Sequence, residues 1–268
     1  MSKHDFVKNT YNFDCFTDSE QKKEVKRLEN QALLVAELEL EALSQIDGLT
    51  GTFLDLGCGP GFVTGNIAAQ YPNLELLGLD TSNELLEVAK LVVQKQQPRV
   101  QFQYGNAYET GLADNSVDFV YSRLLYQHLE HPEKAMKEAK RILKPGGKLC
   151  ILDVDDQLQL FYPELPSFQA LQDAAAKQQK QNGGDRHIAR KLSKMMLNQG
   201  FKNTQCIVRG VSTTDIGFEA FFDIVVSFKA QIVGESGHGY LQQLTDEVAA
   251  LNEKPFGLAA VPLIIGQL

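Results

Sequence analysis

One junction limits the folds open to this chain more than any other. The apolar run Thr52-Phe53-Leu54-Asp55-Leu56 ends in Gly57-Cys58-Gly59-Pro60-Gly61, and a helical pattern follows to Gln70. Glycine takes positive φ without a steric penalty and lets the backbone approach a ligand closely. Three glycines at alternate positions between a strand and a helix therefore predict a tight turn at a strand's carboxyl end, where open α/β sheets bind their ligands. The same rhythm continues along the chain. Leu74 to Asp80 is predicted as a second strand, and Asn83 to Gln96 as a helix burying Leu85, Ala89 and Val92. Arg99 to Tyr104 is a third strand and Val117 to Tyr121 a fourth. Pro132 opens the next helix, in the first turn where a missing N–H costs nothing. Ala135, Met136, Ala139, Ile142 and Leu143 form its apolar face, Lys144-Pro145-Gly146-Gly147 ends it, and Lys148 to Val154 is a fifth strand. Strands alternating with helices at this spacing predict an α/β fold, a doubly wound parallel sheet covered on both faces.

The flanks differ. Between Ser19 and Leu43, the apolar residues Val25, Leu28, Ala32 and Val35 recur at helical spacing, so residues 1–50 are expected to form a helical cap. Gln157 to Asn182 is rich in Gln and Ala and predicts an exposed helix, with a lid over the site as its functional alternative. His187 to Leu197 is a further helix, Phe201 to Val208 a strand and Val261 to Gly266 the last strand. Helices around Phe218 to Ile232 and Tyr240 to Leu251 lie between those strands. No repeat or Pro-rich linker divides residues 51–268, which are expected to be one domain with cap insertions near 157–182 and 216–253.

Charge and cysteine usage exclude several functions. Lys and Arg number 26 against 34 Asp and Glu, a net charge of −8, and an acidic surface repels phosphate backbones. Cys15, Cys58, Cys150 and Cys206 lie far apart with no Cys-x-x-Cys pair, so neither a zinc knuckle nor a redox pair is expected. Met1 to Tyr11 is charged and polar where a signal peptide needs an apolar core, and no apolar run reaches membrane-spanning length. A cytoplasmic protein is the expectation.

A dinucleotide fingerprint requires a third glycine at position 62, which is Phe62; the spacing is instead Gly-x-Gly-x-Gly after Asp55. Asp80 closes the second strand about twenty residues further on, where a carboxylate accepts both hydroxyls of a ribose or else caps a helix. Asn106, in Gly105-Asn106-Ala107, offers an adenine edge both a donor and an acceptor, or else builds a turn. Together these residues resemble the class I S-adenosylmethionine-dependent methyltransferases. Asp55 to Gly61 is similar to that family's first motif, Asp80 to its ribose-binding acid, and Gly105-Asn106-Ala107 to its adenine-contacting turn. Ser116 to Val120 and Ala139 to Gly147 resemble its later motifs, in the same order and spacing. Many relatives carry Asp where this chain has Asn106. The resemblance covers about Gly51 to Val154 closely.

It implies a Rossmann-like, seven-stranded sheet with the last strand antiparallel, and S-adenosylmethionine as methyl donor, released as S-adenosylhomocysteine. It also implies a cofactor site of Asp55, Gly57, Cys58, Gly59, Gly61, Asp80, Thr81, Asn106, Ala107 and Arg123. Displacement at the methyl carbon is in line, so positioning supplies much of the acceleration, with a base needed only for an acceptor that must lose a proton early. His128, after the fourth strand, is the candidate base, or a structural histidine. Asp155 at the end of the fifth strand is a second catalytic candidate, or with Asp153 and Asp156 a turn and cap residue. Tyr126, Asp153, Arg186 and Phe222 are the acceptor-side candidates, and no metal is expected. The chain contains no Pro-Pro and no Pro-Cys dipeptide, hence no amino-nitrogen methylase signature and no cytosine-type thiol. The expected reaction is methyl transfer to the O, N or C atom of a small-molecule acceptor, with no nucleic acid and no membrane span; the oligomeric state is open. Two other readings remain: an S-adenosylmethionine-binding module without transfer, and a nicotinamide oxidoreductase, which Phe62 opposes.

Overall fold

The computed structural model describes residue 11 and residues 13–268. Met1 to Thr10 and Asn12, most of the stretch whose polarity argues against a signal peptide, lie outside the described residues. After a 3-10 turn at Phe13–Cys15 comes helix α1, Asp18–Ser44, whose first turn is closed by a capping box between Thr17 and Glu20. Five strands then alternate with helices: β1 (Gly51–Leu56), α2 (Phe62–Gln70), β2 (Leu74–Asp80), α3 (Asn83–Ala89), β3 (Gln101–Tyr104), β4 (Val117–Arg123), α4 (Pro132–Ile142) and β5 (Leu143–Leu152). A short strand β6, Gln159–Tyr162, precedes α5 (Pro166–Gln181), α6 (Ala189–Asn198) and β7 (Lys202–Ser212). Short helices α7 (Thr213–Ile216), α8 (Phe218–Phe222) and α9 (Phe228–Val233), then α10 (Gly237–Ala249), lead into the last strand, β8, Phe256–Gln267.

The strands form one sheet of order β3-β2-β1-β4-β5-β8-β6, with β7 on the other side of β8. The first five strands pair in parallel, and β8 is antiparallel to β5, β6 and β7. The expected α/β sheet and antiparallel last strand are present; the eighth strand is β6, in a segment where only helix was expected.

Alternation along the strands assigns each side chain to a face. Phe53, Phe119, Tyr121, Cys150, Leu152 and Ile265 point to one core, packed under α1, α2 and α3. Leu54, Val120, Leu149, Ile151 and Ile264 point to the other, covered by α4 and α6. The α3 helix departs from its predicted phase because it runs into a π turn at Lys90–Gln94, which carries one extra residue. Val93 is consequently buried, while Val92 is exposed.

Another departure lies beyond β5. The Gln-rich α5 is not an exposed helix: Phe168, Leu171, Gln172, Ala175 and Gln179 are buried. It packs against α9 and α10 in a separate core with Phe161, Phe221 and Val226. Its Gln and Lys residues are confined mostly to the other face, so a glutamine-rich composition hid an amphipathic helix. The α8–α9 stretch contains a second π turn, Asp223–Ser227. If α5 is core, Leu171→Ala lowers stability by about 2–5 kcal/mol in urea unfolding. A loss of no more than about 0.5 kcal/mol, as for a surface position, would restore the exposed-helix reading.

Candidate active site

The loop after β1 is pinned to the end of β2. Gly57 and Cys58 both donate their backbone N–H to the Leu79 carbonyl, at 2.8 and 3.0 Å. Gly57, Gly59 and Gly61 have φ of 78°, 53° and 74°, in the left-handed region that favours glycine. A Cβ at Gly61 would stand 2.7 Å from the Phe102 ring, whereas one at Gly59 would meet no atom within 4 Å. Gly59 therefore faces open space, and the left-handed turn leaves its backbone exposed to whatever fills that space. Next to it, the Asp80 carboxylate accepts N–H groups from Gly59 at 2.8 Å and Ser82 at 2.9 Å, one on each oxygen. The Thr81 N–H also bonds to this carboxylate, which with about four acceptor positions keeps room for a further donor.

These groups border a cavity of 1610 Å³, larger than the roughly 300–1,000 Å³ typical of a site for one small ligand. Asp55, Gly57, Cys58, Gly59, Asp80, Thr81, Asn106, Ala107 and Arg123 all line it, so nine of the ten sequence-predicted cofactor residues border one cavity. Gly61, the tenth, sits in the turn behind them, as the left-handed residue before α2. Asp55 is buried and accepts a hydrogen bond from Thr64 at 2.6 Å; burial pushes its carboxyl up to about 7. Asn106 spends its side-chain carbonyl on its own turn, accepting the Tyr108 N–H at 2.9 Å, so only its NH2 group remains for a ligand. Arg123 is held from α1: its Nε donates to Glu39, and Nη1 donates to Gln31 at 3.4 Å. A nucleoside with vicinal hydroxyls and a charged amino-acid end fits this donor and acceptor set: Asp80 for hydroxyls, the Gly59 turn for close approach, and Arg123 for a carboxylate.

The acceptor-side candidates separate. His128 and Arg186 line the cavity; Tyr126, Asp153, Asp155 and Phe222 do not. Asp153 is fully buried, accepting the Val154 and Gln127 N–H groups at 2.8 and 3.2 Å, and burial raises its carboxyl to about 7. It ties the end of β5 to the loop after β4 rather than facing a ligand. Asp155 accepts the Gln157 N–H and forms an ion pair with the half-exposed Arg190, so its carboxylate is engaged away from the cavity. The buried Tyr126 hydroxyl has no hydrogen-bond partner among the described residues. Phe222 packs against Phe218, with the rings tilted and their centroids 5.5 Å apart.

Gln179 determines what His128 can do. Its side-chain nitrogen lies 2.9 Å from the Gln127 carbonyl oxygen, which identifies it as a donor, and 3.2 Å from His128 Nδ1. Nδ1 therefore accepts, and the neutral ring carries its proton on Nε2. Burial, with the nearby Arg186 and Arg27 charges, pushes the imidazole down to about 3.

Of the segments expected to cap the site, the N-terminal helix α1 and the stretch Ile224 to Lys229, within 216–253, border the cavity, whereas the glutamine-rich α5, expected as a lid, does not. Arg27, Gln31 and Glu39 on α1, with Phe228 and Lys229, are site residues that sequence reasoning missed. Only Lys229, a lone charge in the run Val225-Val226-Ser227-Phe228-Lys229-Ala230, left a signal. It is 1% exposed, and its amine, near Asp156 and Val225, is lowered to about 8 by burial. Among the described residues no three His, Cys, Asp or Glu side chains gather as a metal site, and no helix is long and apolar enough to cross a membrane.

Residues 54–151 match the family described as "Methyltransferase domain". The chain is similar to an uncharacterized 37.1 kDa protein in transposon TN4556 of Streptomyces fradiae, 34% identical over 162 residues, 59% of this chain and 46% of that one. It is also similar to a trans-aconitate 2-methyltransferase of Methylobacterium radiotolerans, 36% identical over 98 residues, 37% of this chain and 36% of that one. The chain thus spans less than half the length of either relative. Among solved structures, a Haemonchus contortus phosphoethanolamine N-methyltransferase 2 in complex with S-adenosyl-L-methionine has a TM-score of 0.60 at 17% identity, over 96% of this chain and 60% of that chain.

The His128 geometry has a pH signature. A histidine ordinarily titrates near 6.5, and this one stays neutral in the fold until about 3. Between those values the unfolded chain binds a proton that the folded chain does not. Stability from this site is therefore complete above about 6.5 and falls as pH drops, by up to about 1.4 kcal/mol per pH unit. In His128→Gln the urea midpoint should fall less steeply between pH 6.5 and 4 than in the parent chain. Parallel curves for the two proteins would show that His128 protonates freely in the fold.

Proposed function

We propose that this chain, which carries a class I S-adenosylmethionine-dependent methyltransferase domain, transfers a methyl group from S-adenosylmethionine to a small-molecule acceptor. The observation that carries this reading is the meeting of the Asp80 carboxylate and the left-handed Gly59 turn on one cavity wall. When bound, S-adenosylmethionine supplies an electrophilic methyl carbon on a sulfonium. The chain's own residues bind, orient and exclude water. Asp80 takes the ribose hydroxyls, the Asn106 NH2 group donates to the adenine, and Arg123, fixed by Glu39 and Gln31, holds the amino-acid carboxylate. The Gly57 to Gly61 turn lets the backbone approach without a side chain intervening.

The cavity volume left beyond that wall accommodates an acceptor under α1 and the Ile224 to Lys229 stretch. Enclosure there excludes water and holds the acceptor in line with the methyl carbon. His128 acts as a hydrogen-bonding, orienting group rather than a general base, because its Nδ1 lone pair is engaged by Gln179. The trans-aconitate 2-methyltransferase among the relatives supports a small-molecule acceptor.

Calorimetry tests the reading. S-Adenosylhomocysteine should bind and NAD should not. Asp80→Ala should weaken S-adenosylhomocysteine binding by about 2–3 kcal/mol, roughly 30- to 150-fold, with the fold intact, since hydrogen bonds to a charged group are lost together. Binding of NAD with no response to S-adenosylhomocysteine would end the proposal. An unchanged dissociation constant in the variant would reduce Asp80 to a helix-capping role.

A further inference from the structure

Beyond the cofactor wall, the cavity is built of two unlike materials. One part is apolar, lined by Val35 and Leu38 of α1, Ile207 and Val211 of β7 and Val261 of β8. The other gathers cations around one aromatic ring. The Arg27 and Arg186 guanidinium carbons lie 5.2 and 5.8 Å from the centroid of Phe228, and the His128 ring meets the same ring edge-on at 6.0 Å. Lys229 is buried beside them.

The carboxylates that pair with these cations do not share the cavity. Glu24 takes the Nε and Nη2 groups of Arg27 at 2.8 and 2.6 Å, and Tyr11 donates to it from the other side. Asp156 takes the Nε and Nη2 groups of Arg186 at 2.9 and 2.6 Å, with Lys229 at 3.5 Å. Glu24 and Asp156 are 4% and 2% exposed and neither lines the cavity. Asp223, the next acid near Arg27, is exposed and lies outside the cavity lining as well. The cationic partner of each pair therefore borders the cavity and the anionic partner stands behind it.

Both guanidiniums keep donors in hand. A guanidinium carries five N–H groups in a fixed fork. Arg27 makes no hydrogen bond through Nη1 among the described residues. Arg186 uses one N–H each on Nε, Nη1 and Nη2, the Nη1 contact going to Gln127, which leaves two. The carboxylates behind hold both forks in place, so their orientation is fixed before a ligand arrives.

Resting on the proposed methyl transfer, we propose that the acceptor is a small amphipathic oxyanion, its apolar body against α1 and β7 and its anionic head held by Arg27 and Arg186 over Phe228. A planar oxyanion such as a carboxylate, or a phosphate, satisfies paired guanidinium forks. An ammonium head meets like charge there, and a neutral alcohol leaves the charged donors unmatched.

Octanoate, octyl phosphate, octanol and octylammonium serve as probes of one body and four heads, titrated into the chain with and without saturating S-adenosylhomocysteine. At least one of the two anions should bind ten-fold or more tighter than octanol, and octylammonium should bind more weakly than octanol. Octanoate ahead of octyl phosphate would assign a carboxylate head, and the reverse order a phosphate. In Arg27→Gln the anion preference should shrink at least five-fold, while Arg27→Lys, which keeps the charge, should retain part of it. Equal binding of anion and alcohol, or an undiminished preference in Arg27→Gln, overturns the proposal. Circular dichroism of each variant establishes that the fold persists. An anion preference without any S-adenosylhomocysteine binding would overturn the methyl-transfer reading and leave the oxyanion site standing. S-Adenosylhomocysteine binding with no anion preference would do the opposite.

Discussion

A single carbonyl, that of Leu79, accepts two backbone N–H groups from the neighbouring strand's turn, and the Asp80 side chain accepts a third. Both strands end at that point, so the turn cannot relax without unpairing β1 from β2. The glycine positions follow from this constraint. With the turn anchored at Gly57 and Cys58, the chain has to double back within four residues to enter α2, and left-handed backbone at Gly57, Gly59 and Gly61 does this without a Cβ clash. This part of the cavity lining is in that sense a by-product of closing two parallel strands. The turn that those bonds anchor brings the Gly59 N–H to the Asp80 carboxylate and so orients it.

The parts of the molecule that were legible from sequence are those governed by local rules. Strand–turn–helix alternation, Pro132 in a first helical turn and the glycines after Leu56 each act through a neighbouring residue or two, and their elements are present, except that Lys144 to Gly147, expected as a turn, belongs to β5, which begins at Leu143. Asp55, Gly57, Cys58, Gly59, Gly61 and Asp80 lie within or beside such signals. The residues that escaped notice act at long range. Arg27, Gln31 and Glu39 sit on a helix whose sequence pattern specifies burial alone, and only the fold brings that helix across the mouth of the cavity. Gln179 was hidden for another reason. Its segment has the composition of a solvated helix, yet every buried side chain of α5 falls on one stripe, and a count of glutamines does not register where they point. Asp155 and Phe222 illustrate the converse: both were near the site in sequence, and each is spent on a structural partner.

The trio of Arg186, Asp156 and Lys229 is almost completely buried. Desolvating three charges costs several kcal/mol per ion, and mutual attraction repays that only when the geometry and the remaining hydrogen bonds are good. Here Gln127, Gln159 and the Val225 carbonyl supply the remaining contacts. A close-packed set of apolar side chains would fill the same volume with less conflict. What the charged trio provides instead is orientation, since a guanidinium gripped at two nitrogens presents the rest of its fork in one direction.

The π turn at Asp223–Ser227 gives the cavity wall its phase. Helical structure is continuous from Phe218 to Val233, and a π turn is equivalent to one residue inserted into an α-helix. Everything after it is rotated by about 100° relative to an unbroken helix. Phe221 points into the core beneath the sheet's end, yet Phe228 and Lys229, two turns on, border the cavity. A chain one residue shorter in this segment would keep its helix and its core contacts up to Phe222 and swing the aromatic ring and the lysine off the cavity. Register in this helix, more than the identity of any one side chain along it, decides which side chains border the cavity.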